Sequence, residues 1–150
     1  MAELRSASQR KADVIEALER NSDLWLATAG ASGGAHLIAV SAWWDGASIV
    51  VATTGGSRTA RNLEATSSGR LAIGSPADAI MVDVRLEDSV PVAEADSELA
   101  TGFATGVGWN PAEAGSGWKF FRLRPVRIQS YRGYDELAGR DVMRDSRWLA

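Results

Sequence analysis

Seven stretches of this chain carry apolar residues at every second position or in short unbroken runs, and only two or three carry them at helical spacing. That imbalance constrains the fold more than any other feature. "LWLATA" (24–29), "AHLIAVSAWW" (35–44), "ASIVVATT" (47–54), "RLAIGS" (70–75), "AIMVDVRLEDSVPVAEA" (79–95), "WKFFRLRP" (118–125) and "VRIQSYR" (126–132) read as strands, the last two hinged at Pro125. Asp45-Gly46 is a tight hairpin signal, and "GASGG" (30–34) a Gly-rich turn. Helical spacing is confined to 4–20 within an N-terminal segment 1–21 ended by Asn21, to 58–66 with Ser57 as N-cap, and to 97–106 behind Asp96. The tail, 139–150, is short and mixed, with room for one more strand. So few helices cannot cover the edges of so long a sheet, and exposed edges recruit other chains. The expectation is a mainly β chain: six or seven antiparallel strands closed into a small barrel, with two or three short helices, in one domain spanning 1–150.

The chemistry open to such a chain is narrowed by what it lacks. There is no cysteine, which excludes disulfides, thiolate metal sites and a cysteine nucleophile, and His36 is the only histidine. The opening "MAELRSASQRK" has no apolar signal-peptide core, and no run approaches the roughly 18 apolar residues of a membrane span. A cytoplasmic protein that binds neither membrane nor nucleic acid is expected, the latter because the net charge is −3. The charge is uneven, however. Residues 78–98 hold seven acids and one base, whereas 118–147 hold eight bases and four acids, enough for a positive surface on an acidic protein.

Three stretches invite a chemical reading. "GASGG" matches G-x-S-x-G, but it joins two strands rather than a strand and a helix, so it is a turn and not a nucleophile elbow. Trp43 and Trp44 are strand neighbours and face opposite ways: one is core, and the other must meet a partner or a flat ligand. "TTGGSRTARNL" (53–63) is the richest. It leaves a strand through Gly55 and Gly56 and sets Ser57, Arg58, Thr59, Arg61 and Asn62 in one helical turn. Hydroxyls, guanidinium forks and the free amides of a helix N-terminus are the groups that hold a phosphate. A plain strand-to-helix junction has some of the same features.

Taken in order, strand, hairpin, strand, "S-R-x-x-R-N-L", strand, "FRLRPVRIQ" and a Trp-containing tail resemble the pyridoxamine 5′-phosphate oxidase-like split β-barrel proteins, over about residues 22–150. The resemblance implies a split barrel that binds FMN or the deazaflavin coenzyme F420 across a homodimer interface. It implies a ring lying along the strand of His36, Val40 and Ser41, with Ala52 and Thr53 on the next strand. The phosphate would lie on Ser57, Arg58, Thr59, Arg61 and Asn62, and Trp109, Tyr131 or Arg140 of a partner subunit would help close the site. The chain departs from the family where a phosphate-binding lysine becomes Thr59 and a cofactor-facing glutamine falls near Ala79.

In "YRGYDELAGR" the substrate-phosphate residues of a genuine pyridoxamine phosphate oxidase become Glu136 and Ala138. A carboxylate there repels phosphate, so that substrate is not expected to be turned over. The implied function is an F420- or FMN-dependent oxidoreductase acting on a small organic substrate. Arginine outnumbers lysine fourteen to two, and the arginines of 118–147 would suit the polyanionic tail of F420. The alternatives are a split barrel that carries or senses a flavin or haem without turnover, and one that has lost its cofactor.

Overall fold

Closure of the sheet rests on one short strand that pairs on both sides. In the computed structural model, which describes residues 3–150, the strands are β1 (Asp23–Ala29), β2 (Ala35–Trp44), β3 (Ile49–Thr54), β4 (Ser68–Ser75), β5 (Asp78–Pro91), β6 (Trp118–Tyr131), β7 (Asp141–Arg144) and β8 (Arg147–Trp148). They form a single antiparallel sheet in the order β3-β2-β1-β4-β5-β6-β7-β8, and β3 also pairs with β6. Six strands thus close into a barrel, and the hairpin β7–β8 extends it from the far half of β6. The helices are α1 (Ala7–Arg20), α2 (Arg58–Thr66) and α3 (Ser97–Val107). Among the described residues, no helix is long and apolar enough to cross a membrane.

Pro125 does not divide β6. The strand runs unbroken from Trp118 to Tyr131, bulged where Asp83 opposes Arg127 and Val84 opposes Pro125. The proline sits where β6 exchanges β3 for β7 as its neighbour, so its missing N–H costs no ladder bond there. β5 is also one long bulged strand, ending at Pro91.

Side-chain alternation sorts the interior into two clusters. Leu24, Leu26, Val40, Ala42, Val51, Leu71, Val82, Phe121 and Leu123 fill the barrel; Val14 and Leu18 of α1 and Ala60 and Leu63 of α2 pack into the same cluster. The outer side of β3 forms the second cluster: Val50 and Ala52 meet Phe120 of β6 and Phe103 of α3. Trp44 turns to the barrel core, and Trp43 turns out and is covered by α3 rather than left for a partner or ligand. Gly102 and Gly106 make that cover possible. A Cβ on Gly102 would come within 2.3 Å of the Trp43 ring, and one on Gly106 equally close.

Gly102→Ala should therefore cost about 1–3 kcal/mol of stability through overpacking, despite the better helix propensity of alanine. In a Trp43→Leu background the same change should be close to neutral. Chemical denaturation of the four proteins of this cycle measures the coupling.

Candidate functional site

The N-terminus of α2 gathers most of the phosphate-type residues. Ser57 is its N-cap: the hydroxyl accepts from the Ala60 amide at 3.1 Å and from Thr53 Oγ1 at 3.0 Å. Among the described residues, no acceptor meets the amides of Arg58 and Thr59, two of the donors every helix start leaves free. Arg58 and Arg61 are exposed, and neither is within ion-pair distance of a described carboxylate. The Arg58 side chain lies over the β1–β2 turn, where a Cβ on Gly34 would stand 2.9 Å from its Nη2. Thr59 is almost fully buried, and its hydroxyl has no hydrogen-bond partner.

Asn62 has a different part. It is buried and donates to Thr28 Oγ1 at 3.1 Å, so it pins α2 to β1. A Cβ on Gly30 would come within 3.2 Å of Asn62 Oδ1, so this glycine lets the pin pass. His36 is half-buried directly across the ladder from Thr28. Lys119, which the sequence did not single out, lies behind the Gly55 turn, with Nζ 2.8 Å from Glu64 Oε1.

Between β2 and β3 the barrel is open. The two pair only over Ala42–Trp44 and Ile49–Val51, while β3 pairs with β6 through Thr54. The Ala42 amide donates to Ser22 beside β1, so strand alternation leaves the peptide groups of Leu37, Ala39 and Ser41 on the open edge. Val40 points into the core, and Ala52 faces α3. At the closed end of this split, the indole of Trp109 donates to Ser41 Oγ at 2.8 Å. Trp109 therefore reaches the end of the β2–β3 ladder within its own chain. The outer face of β1 and β2 continues as an apolar surface with Trp25 52% and Leu37 62% exposed. A shallow depression of about 660 Å³ runs from Ala27 and Leu37 across β4 and β5, and His36, Arg70, Asp83 and Arg85 are also in its lining.

Tyr131 and Arg140 lie elsewhere. Tyr131 pairs with Ala79 beside the β4–β5 hairpin, whereas α2 enters β4 at Ser68, the opposite end of that ladder. Arg140 donates to the Leu137 carbonyl. In one subunit neither stands near Arg58. The positive surface expected from 118–147 is also largely neutralised. Six of its eight bases (Lys119, Arg122, Arg124, Arg127, Arg132 and Arg144) stand within ion-pair distance of a carboxylate.

No protein-family model matches the sequence, and no curated protein matches it. Solved structures do match. An F420 reductase superposes with a TM-score of 0.63 at 21% identity, over 75% of this chain and 93% of its own. An FMN-binding protein from Syntrophomonas wolfei gives 0.62 at 16% identity, over 79% and 86%. HutZ, the haem storage protein from Vibrio cholerae, gives 0.60 at 18% identity, over 92% and 99%. Likeness at these identities establishes the fold, which is the split barrel.

Glu136 corrects one expectation. It does not face solvent as a carboxylate that could repel a docking phosphate; it is buried at the α1 end of the barrel under Arg5. The Arg5 guanidinium donates to it at 2.5 Å from Nη2, and the amides of Arg5 and Arg132 add 3.1 and 2.8 Å bonds. Hydrogen bonding from the Arg5 guanidinium pulls its pKa from 4.5 down to about 2; burial opposes this, and the two amides and the Arg5 charge reinforce it. A depressed carboxylate pKa stabilises the fold above the unfolded value, and that contribution is lost as pH falls from 4.5 towards about 2. Glu136→Gln should therefore destabilise the protein by about 2–3 kcal/mol at neutral pH. The gap to the parent should close over that acid range in denaturant titrations; a pH-independent difference would contradict the account.

Proposed function

We propose that the chain is a homodimeric oxidoreductase that uses F420 or FMN on a small organic substrate, working in the cytoplasm. One observation carries this reading. A helix N-terminus with two free amides, two unpaired arginines and a buried, unpartnered threonine hydroxyl stands beside the open edge of β2. A buried hydroxyl without a partner is costly, so its retention fits an anion that satisfies it. The donor set suits a phosphate: Ser57, Arg58, Thr59 and Arg61 would hold it, and neutral and cationic donors outnumber acceptors there. Arginine forks give the two-point grip that the absent lysine would not.

When bound, such a cofactor supplies hydride transfer itself. The chain's part is to grip the phosphate, to offer the edge peptide groups of Leu37, Ala39 and Ser41 to the ring, and to exclude water. The apolar outer face with Trp25 and Leu37 is the surface a second copy would cover. In that arrangement Tyr131 and Arg140 of one subunit would serve the site of the other. A non-catalytic flavin or haem carrier is the second reading, favoured by the near-complete overlap with a haem storage protein. Reduction of a bound cofactor followed by electron delivery to an acceptor separates the two.

Two measurements test the proposal. In fluorescence titrations of FMN and F420, Arg58→Ala should weaken binding by about 1.5–3 kcal/mol, the worth of a charge-assisted hydrogen bond; no effect would place the phosphate elsewhere. In sedimentation equilibrium the parent should be a dimer and Leu37→Asp a folded monomer, and a monomeric parent would refute the shared site.

A further inference from the structure

The loop between β6 and β7, residues 132–140, owes its place to the N-terminal segment more than to the sheet. Among the described residues, no side chain of this loop joins either core cluster. Its one backbone tie to a strand is the Arg140 carbonyl, which accepts from the Ser130 amide at 2.9 Å. The rest comes from the other end of the chain. Arg5 donates to the Glu136 carboxylate from its amide, Nε and Nη2. Arg10 Nη1 donates to the Glu136 and Gly139 carbonyls at 3.3 and 2.8 Å. Arg132 adds looser ion pairs, to Asp13 of α1 at 3.7 Å and to Asp78 of β5 at 3.3 Å. Arg10 is buried and its Nε has no partner, so the two loop carbonyls are its only side-chain hydrogen bonds among the described residues. Helix α1 itself is held in another way, by Val14 and Leu18 in the barrel core. The ends of the loop are built to turn: Gly133 and Gly139 both lie in the left-handed region, at φ 67° and 70°. Between them Tyr134 is 91% exposed.

We infer that residues 133–139 are a flap, hinged at Gly133 and Gly139 and latched shut on α1 by Arg5 and Arg10. Opening the flap leaves a buried guanidinium and a buried carboxylate short of partners, which keeps the latch closed in the free chain. Opening also bares little apolar surface, so α1 and the barrel stay folded while the flap swings. The shut flap is what aims Arg140, whose Nη1 donates to the Leu137 carbonyl at 2.8 Å. A ligand that engages Arg140 from outside therefore favours the shut form. Under the proposed function that ligand is the cofactor of the other subunit; this link rests on that reading, whereas the latch does not.

Hydrogen exchange read by mass spectrometry on the parent, Arg10→Met and Arg5→Gln tests the latch. Either variant should speed exchange of 132–140 about 10- to 150-fold, the factor that one hydrogen bond to a charged group sets. Peptides of α1 and of β1–β6 should keep their parental rates. Arg20→Gln, which cuts an exposed ion pair within α1, should change neither loop nor barrel. A loop at its parental rate in both latch variants would overturn the inference, and so would acceleration of loop and barrel by one common factor. Should Arg10→Met not fold, Arg5→Gln decides. The link to the cofactor is read on the parent alone. At about 100 times its Kd, FMN or F420 should slow exchange of the loop up to about 100-fold. Inorganic phosphate, which needs only the start of α2, should leave that rate unchanged. A bound cofactor that does not slow the loop would overturn the link and leave the phosphate site standing. Failure of FMN, F420 and phosphate to bind would overturn the phosphate site, while the two variants still decide the latch.

Discussion

Everything in this structure follows from the unequal pairing of β3. It joins β6 along its whole length but β2 over only three residues. Full pairing on both sides would give a smooth barrel with no edge and no site; no pairing would leave an open sheet with two edges. The partial join closes the core and still leaves one stretch of β2 as an open edge. Helix α2 packs Ala60 and Leu63 into the barrel core, and α3 is drawn onto the outer surface by Trp43. The same packing that stabilises the barrel therefore places a helix N-terminus and an indole beside the split.

Charge follows the same division. The far end of the barrel is tied by a partly buried ionic knot of Arg5, Asp13 and Glu136, in which each charge has a partner and the Glu136 carboxylate accepts five hydrogen bonds from four donor groups. Most of the bases of β6 and the tail likewise stand within ion-pair distance of carboxylates on nearby helices, turns and strands, largely at exposed positions where each pair contributes little. Arg58 and Arg61, like Arg85 and Arg147, stand outside ion-pair distance of a described carboxylate, and the first two lie in the first turn of α2, so positive charge sits beside free helix amides although the whole chain is negative.

Local signals were legible in the sequence, and long-range ones were not. Ser57 before "RTARNLEAT", Asp96 before "SELATGFATG" and the alternation of β1 and β2 are decided by residues within a turn of one another, and the structure follows them closely. Pro125 misled because the proline rule for strands assumes a ladder on both sides, whereas β6 changes neighbours at that residue. Glu136 misled because its partner lies 131 residues away in Arg5. Arginine-rich 118–147 suggested a positive surface because sequence lists charges without their partners. The tie between Trp109 and Ser41 spans 68 residues. Only the short polar side chain on an outward strand position hinted that something would be held there.

The two departures from the family pattern also change meaning once placed in space. Thr59 and Ala79 look like joint erosion of one site, yet they belong to different ends of the barrel. Ala79 is buried beside Tyr131 at the β4–β5 hairpin, so in one subunit it has no bearing on the phosphate residues at all. Thr59 is where erosion would have to be judged. A site under no demand drifts towards the cheapest residue, and for a fully buried helical position that residue is apolar, since an unpartnered hydroxyl costs about 1–3 kcal/mol. What stands there is a buried hydroxyl without a hydrogen-bond partner, flanked in sequence by two arginines that pair with no described carboxylate. The proposed phosphate site is the reading that gives this hydroxyl a partner.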